Sequence, residues 1–137
     1  MILTLNQETL PLYKEQEVIL LRNRIKEYAV KIGMGLVNQT KLITAASELM
    51  RNMLKYAAGG SVKVEAVSKG RETGIRLVFT DKGPGIPDIA LAMKDGYSTG
   101  KSLGVGLPGT RRLVSEFDIK SKPGEGTVVT VIKWKNG

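Results

Sequence analysis

The sequence predicts an α+β fold: a two-layer sandwich with helices on one face of a mixed, mostly antiparallel sheet. Three observations carry that expectation. Two long stretches, about 15–32 and 38–57, repeat their apolar residues at helical spacing. Two pairs of alternating stretches, at 61–80 and 118–134, each joined by a polar turn, read as hairpins. Between them lies a glycine-rich stretch with almost no apolar pattern. Helices followed by hairpins suit a sandwich better than a parallel α/β sheet, in which the two alternate. A chain of 137 residues fits a single domain spanning 1–137.

Taken in order, Leu3–Tyr13 is mixed and predicts a short edge strand, since Pro11 argues against a central one. Val18, Leu21, Ile25, Tyr28, Ala29 and Ile32 line one face of the first helix, which Gly33 and Gly35 stop. The second helix starts near Asn38 or Thr40 and runs to Ala57, with Gly59-Gly60 ending it. Its apolar stripe is Leu42, Ile43, Ala46, Leu49, Met50, Met53 and Leu54. Ser61–Val67 and Gly74–Thr80 alternate around the polar turn Ser68–Thr73. Pro87–Met93 reads as a short helix with proline in its first turn. Lys94–Gly109 reads as a loop and Thr110–Phe117 as a helix. Asp118–Lys122 and Thr127–Trp134 close the chain as a hairpin around Pro123-Gly124-Glu125-Gly126.

Composition narrows the function. The sequence has no cysteine and no histidine. That excludes a disulfide framework, a Cys/His zinc site, Ser–His or Cys nucleophile chemistry and a phosphoaccepting histidine. No apolar run reaches the ~18 residues of a membrane span, and the N-terminus lacks the features of a signal peptide, so the expected location is the cytoplasm. The formal net charge is +8. Basic groups outnumber acidic ones eight to five over 1–60, six to five over 61–100 and seven to three over 101–137. With the excess spread out and aromatics at 5%, nucleic-acid binding is disfavoured. A phosphate-bearing small molecule or an acidic protein partner explains the charge equally well.

Two motif matches fail on context. Gly104-Val-Gly106-Leu-Pro-Gly109 fits GxGxxG, yet a polar, glycine-rich stretch precedes it where a dinucleotide fold needs a strand. Gly96–Ser102 resembles a P-loop but has Asp95 in place of the first glycine. Both still mark backbone rich in free N–H groups ahead of a helix start, which suits an anion.

Three segments converge on one chemistry. Glu48, Asn52 and Lys55 are spaced i, i+4, i+7, which puts a carboxylate, an amide and an ammonium on one helix face. That row is either a site or a solvated polar face with a Glu–Lys pair. Asp81-Lys-Gly83-Pro-Gly85 ends a strand, with Asp81 as a fixed acceptor and two glycines that let a flat ligand approach. Its alternative is an ordinary strand-to-helix turn. The stretch 96–109 is long enough to close over phosphates, or else it is a plain connection.

Together these residues resemble the GHKL ATP-binding fold of DNA gyrase, MutL, the ninety-kilodalton heat-shock chaperone and histidine kinases. The Glu48/Asn52 helix is similar to its N box, Asp81–Gly85 to its G1 box, Gly104-Val-Gly106 to its G2 box, and Gly126-Thr127 to its closing Gly-Thr. Within that fold, small size, absent histidine and Ala45-Ala46-Ser-Glu48…Asn52…Tyr56-Ala57 resemble the anti-sigma-factor serine/threonine kinases. Asp81–Phe117 and the ending Gly124-Glu-Gly-Thr127…Trp134 look most like the RsbT-type switch kinases of the bacterial stressosome.

The resemblance implies ATP and Mg²⁺ as cofactors. Asp81 would accept from the adenine amine with help from Thr127, and Gly83 and Gly85 would line the adenine pocket. Asn52 would hold Mg²⁺, Lys55 would reach a phosphate and Tyr56 would pack on the nucleotide. Gly104 and Gly106 would offer amides from an ATP lid at about 94–109, where Lys101 is either a second phosphate clamp or a solvated lid charge. Glu48 would be the catalytic base toward a Ser or Thr hydroxyl. Implied partners are STAS-domain stressosome proteins (RsbS/RsbR-like) as substrates and a PPM-type, RsbU-like phosphatase that the released kinase activates, with no nucleic acid and no membrane. The rival readings are an RsbW-like anti-sigma factor kinase that sequesters a sigma factor, a non-enzymatic nucleotide-gated module and a basic nucleic-acid binder.

Overall fold

The computed structural model describes residues 1–84 and 106–137. The elements are β1 (Leu3–Leu12), α1 (Glu15–Lys31), α2 (Leu36–Ala57), β2 (Gly60–Lys69), β3 (Glu72–Asp81), α3 (Gly106–Leu113), β4 (Glu116–Lys122) and β5 (Gly126–Trp134). The strands form one sheet in the order β1-β2-β3-β5-β4, and its four pairings are antiparallel. The α+β sandwich expected from the apolar patterning is the fold found.

The helices meet one face of that sheet. Leu21, Ile25, Tyr28 and Ala29 recur on one stripe of α1, as do Leu42, Ala46, Leu49, Met50 and Met53 on α2, and all are buried. Against them the sheet sets Val62, Val64, Ile75, Leu77, Phe79, Val129 and Val131, alternate residues of three adjacent strands. Val67, Ile132 and Trp134 make a smaller cluster on the opposite face. Among the described residues no helix is long and apolar enough to cross a membrane.

Local chemistry sets the ends. The Glu17 carboxylate accepts from the Lys14 amide (3.0 Å) and the Tyr13 amide (2.7 Å), which caps the start of α1. α2 closes through Ala58 in the left-handed region (φ 58°), with the Gly59 amide reaching back to the Met53 carbonyl at 3.0 Å.

The structure corrects several boundaries. β1 is ten residues long, not short, although it is an edge strand as expected. Most of its side chains are exposed and its pairing slips between Thr4 and Asn6, so it lacks a clean apolar alternation. The predicted polar turn 68–73 is largely strand: Ser68 pairs with Thr73 and Lys69 with Glu72, leaving a tight turn at Gly70-Arg71. The helix expected at 110–117 lies at Gly106–Leu113, so the last four residues of the expected loop are helical and Phe117 belongs to β4. The expected helix at 87–93 and the loop as far as residue 105 fall outside the described residues.

Candidate active site

The site is built where α2, the end of β3, the start of β5 and the start of α3 meet. Asp81 and Thr127 are cross-strand partners on β3 and β5, and both lie in register with the helix-facing residues of their strands. One Asp81 carboxylate oxygen accepts from the Gly83 amide at 2.9 Å. This local bond fixes the side chain just beyond the strand and leaves its second oxygen for another donor. The Thr127 hydroxyl lies 2.8 Å from that of Ser121 on β4, which ties the third strand to the same corner.

Glycines are needed here because the backbones are close. A side chain at Gly83 would lie 2.6 Å from the Ala57 methyl, so the turn after β3 packs directly on the last turn of α2. Gly126, at φ 92°, would drive a side chain into the Asp81 carbonyl. The turn before β5 is held in turn by the Gly124 amide, which donates to the Pro84 carbonyl at 2.8 Å. An acceptor at a fixed height beside side-chain-free backbone suits one edge and one face of a flat heterocycle.

One turn of α2 separates Glu48 from Asn52. Glu48 is only 3% exposed, Asn52 is half-buried, and Lys55 and Tyr56 are exposed. The solvated-face alternative therefore fails at Glu48. The Lys55 ammonium sits 5.2 Å from the centre of the Tyr56 ring. One Glu48 oxygen lies 3.4 Å from the Gly106 amide and the other lies 3.1 Å from the Arg51 guanidinium. Gly106 opens α3, whose first-turn amides have no partners within the helix. The structure thus brings together Glu48, Asn52 and Gly106 on one side and Asp81, Gly83 and Thr127 on the other. Gly85, Lys101 and Gly104 lie outside the described residues.

A family model described as "Histidine kinase-, DNA gyrase B-, and HSP90-like ATPase" matches residues 37–136, a span that includes every element of this corner. The chain belongs to that ATPase family. It is 40% identical over 129 residues to the serine/threonine-protein kinase RsbT of Bacillus subtilis (strain 168), covering 94% of this chain and 97% of that one. It is 26% identical over 129 residues to an anti-sigma F factor of Thermoanaerobacter sp. (strain X514), covering 90% and 89%. A crystal structure of the RsbU and RsbW domains of a Mycobacterium tuberculosis protein superposes with a TM-score of 0.64 at 22% identity. That match covers 93% of this chain and 31% of the other, and it shows the fold. Near full-length similarity to RsbT gives the enzyme class within the ATPase family, a serine/threonine protein kinase.

Two members of the site escaped the motif reading. Arg51 was visible only as one more residue between Glu48 and Asn52; its i, i+3 spacing from Glu48 was the available signal. Ser121 lies on a strand whose alternation is mostly exposed, and only strand register reveals its partner Thr127.

Proposed function

We propose that this chain transfers the terminal phosphoryl group of ATP to a serine or threonine hydroxyl of a STAS-domain protein, as a switch kinase. The observation that carries the reading is Glu48: a buried carboxylate one helical turn from Asn52, with a lid amide against one oxygen. Asp81 accepts from the adenine amine while Thr127 supports that edge, and Gly83 and Gly85 keep the pocket flat. Asn52 would hold Mg²⁺ through its amide oxygen, and the metal would supply neutralisation of phosphate charge. Lys55 reaches toward a phosphate, Tyr56 packs on the nucleotide, and Gly104 and Gly106 donate amides from a lid at about 94–109. Lys101 belongs to that lid as a second clamp or a solvated charge.

Glu48 takes the hydroxyl proton as the acceptor oxygen bonds to the terminal phosphorus and the bond to ADP breaks. Phosphoryl transfer depends mainly on positioning and charge, so a single carboxylate is an adequate base. Once its substrate is phosphorylated, the released kinase engages and activates a PPM-type phosphatase of the RsbU kind, in the cytoplasm. The chain's basic balance favours nucleotide and acidic partners alike. The anti-sigma F relatives support a second reading, an RsbW-like kinase that sequesters a sigma factor; direct sigma-factor binding distinguishes it.

The test is labelled ATP with a STAS-domain protein encoded beside this gene, with and without Mg²⁺. Metal-dependent label on a serine or threonine of that protein is expected. Asp81→Asn should lose nucleotide affinity measured directly, because the amide presents a donor to the adenine amine on one side. Tight nucleotide binding by Asp81→Asn would count against the adenine assignment.

A further inference from the structure

Building on the reading of Glu48 as the base, we propose that Arg51 is a positioning residue for phosphoryl transfer: it orients the Glu48 carboxylate and balances its charge when the lid amide turns to the nucleotide. The Glu48 side chain is 4% exposed, whereas that of Arg51 is 55% exposed. An exposed i, i+3 pair on a helix is a weak interaction between two solvated groups. This pair differs because its carboxylate is out of water, and a buried charge needs a partner.

The two oxygens of Glu48 have partners of different kinds. Gly106 is the first residue of α3. Its amide, lacking an intrahelical partner, is a donor that a phosphate can claim. Arg51 sits on α2 itself, one turn beyond Glu48, so its hold at 3.1 Å does not depend on the lid. When the amide is taken, the Arg51 contact remains and one carboxylate oxygen is left free toward the acceptor hydroxyl. Lys55 is no substitute: it is exposed, and its ammonium lies over the Tyr56 ring.

The experiment is a double-mutant cycle in the full chain, with Mg-ATP and the STAS-domain protein as substrates. Wild type, Arg51→Ala, Glu48→Ala and the double variant are compared, with Arg51→Lys and Arg51→Gln alongside, and nucleotide affinity and thermal melting are recorded for each. Arg51→Ala is expected to lower kcat about ten- to a hundredfold, part of the about 10²–10⁴ that a general base supplies. Its ATP KM and direct affinity should stay within about twofold of wild type. Arg51→Lys should recover most of the rate and Arg51→Gln little of it. In the Glu48→Ala background, Arg51→Ala should cost nothing further. An unchanged kcat, a raised KM with kcat intact, or an equal loss in the Glu48→Ala background would each overturn the positioning role. If Glu48→Ala alone kept full activity, the base assignment would fail first and the proposal with it. Should Arg51→Ala melt early, the contrast between the Lys and Gln variants decides.

Discussion

Glu65 lies on the sheet face opposite α1 and α2 yet is 1% exposed, because Arg76, Lys63 and Thr4 close over it. Its carboxylate accepts from Arg76 at 2.7 Å and 3.0 Å, a two-pronged contact across neighbouring strands. Burial is the largest single influence and pushes this carboxyl upward. The Arg76 hydrogen bond and charge, with Lys63 and Thr4, together outweigh it and hold the group below the ordinary carboxylate range. A carboxyl depressed on folding stabilises the protein above its unfolded value of about 4.3, and that contribution is lost as pH falls through the lower folded value. Arg76→Ala should therefore destabilise by about 3 kcal/mol at pH 7, where it strands a buried charge. In acid below the folded value the difference should shrink. Urea titrations at the two pH values check this, and a difference independent of pH would contradict it. At this scale the sequence was uneven: Glu48 and Asp81 stood out by spacing and strand position, but Glu65, Arg76 and Arg51 read as ordinary surface charges. Their importance comes from cross-strand register and burial, which periodicity does not encode.

Ala58 ends α2 in a conformation that L-residues avoid, at a penalty of roughly 1–2 kcal/mol against glycine. Glycine's greater loss of backbone freedom returns part of that. Ala58→Gly is expected to stabilise the protein by about 0.5–1 kcal/mol, as judged by the denaturation midpoint at unchanged slope. Lower stability would mean that α2 does not end this way. The long helices and the two hairpins were legible because each buries a stripe or alternate row against the other layer. α3 was not. Gly106 and Gly109 read as loop, and Gly109 inside a helix is unfavourable by about 1 kcal/mol relative to alanine. Phe117 and Ile119 instead alternate as inward residues of β4. The end of α3 is fixed instead by tertiary bonds, with the Ser115 amide donating to the Ile132 carbonyl at 2.8 Å.

Across the molecule, the chain places β5 between β3 and β4 rather than adding it at an edge. That insertion sets Thr127 opposite Asp81, while α3 packs on α2 and puts the Gly106 amide against Glu48. The motifs single out Glu48, Asp81, Gly106 and Thr127 but not Arg51 or Ser121. The strand order, the Gly83–Ala57 contact and the division of Glu48 between an amide and a guanidinium needed the structure. Whether this corner transfers phosphate with Glu48 as the base is decided by comparing wild type with Glu48→Ala. Labelled Mg-ATP and the STAS-domain protein are the substrates, and nucleotide affinity is measured on the same samples. Transfer slowed by about 10²–10⁴ with affinity retained is the predicted result. Transfer at the wild-type rate, or nucleotide affinity lost together with transfer, would contradict it.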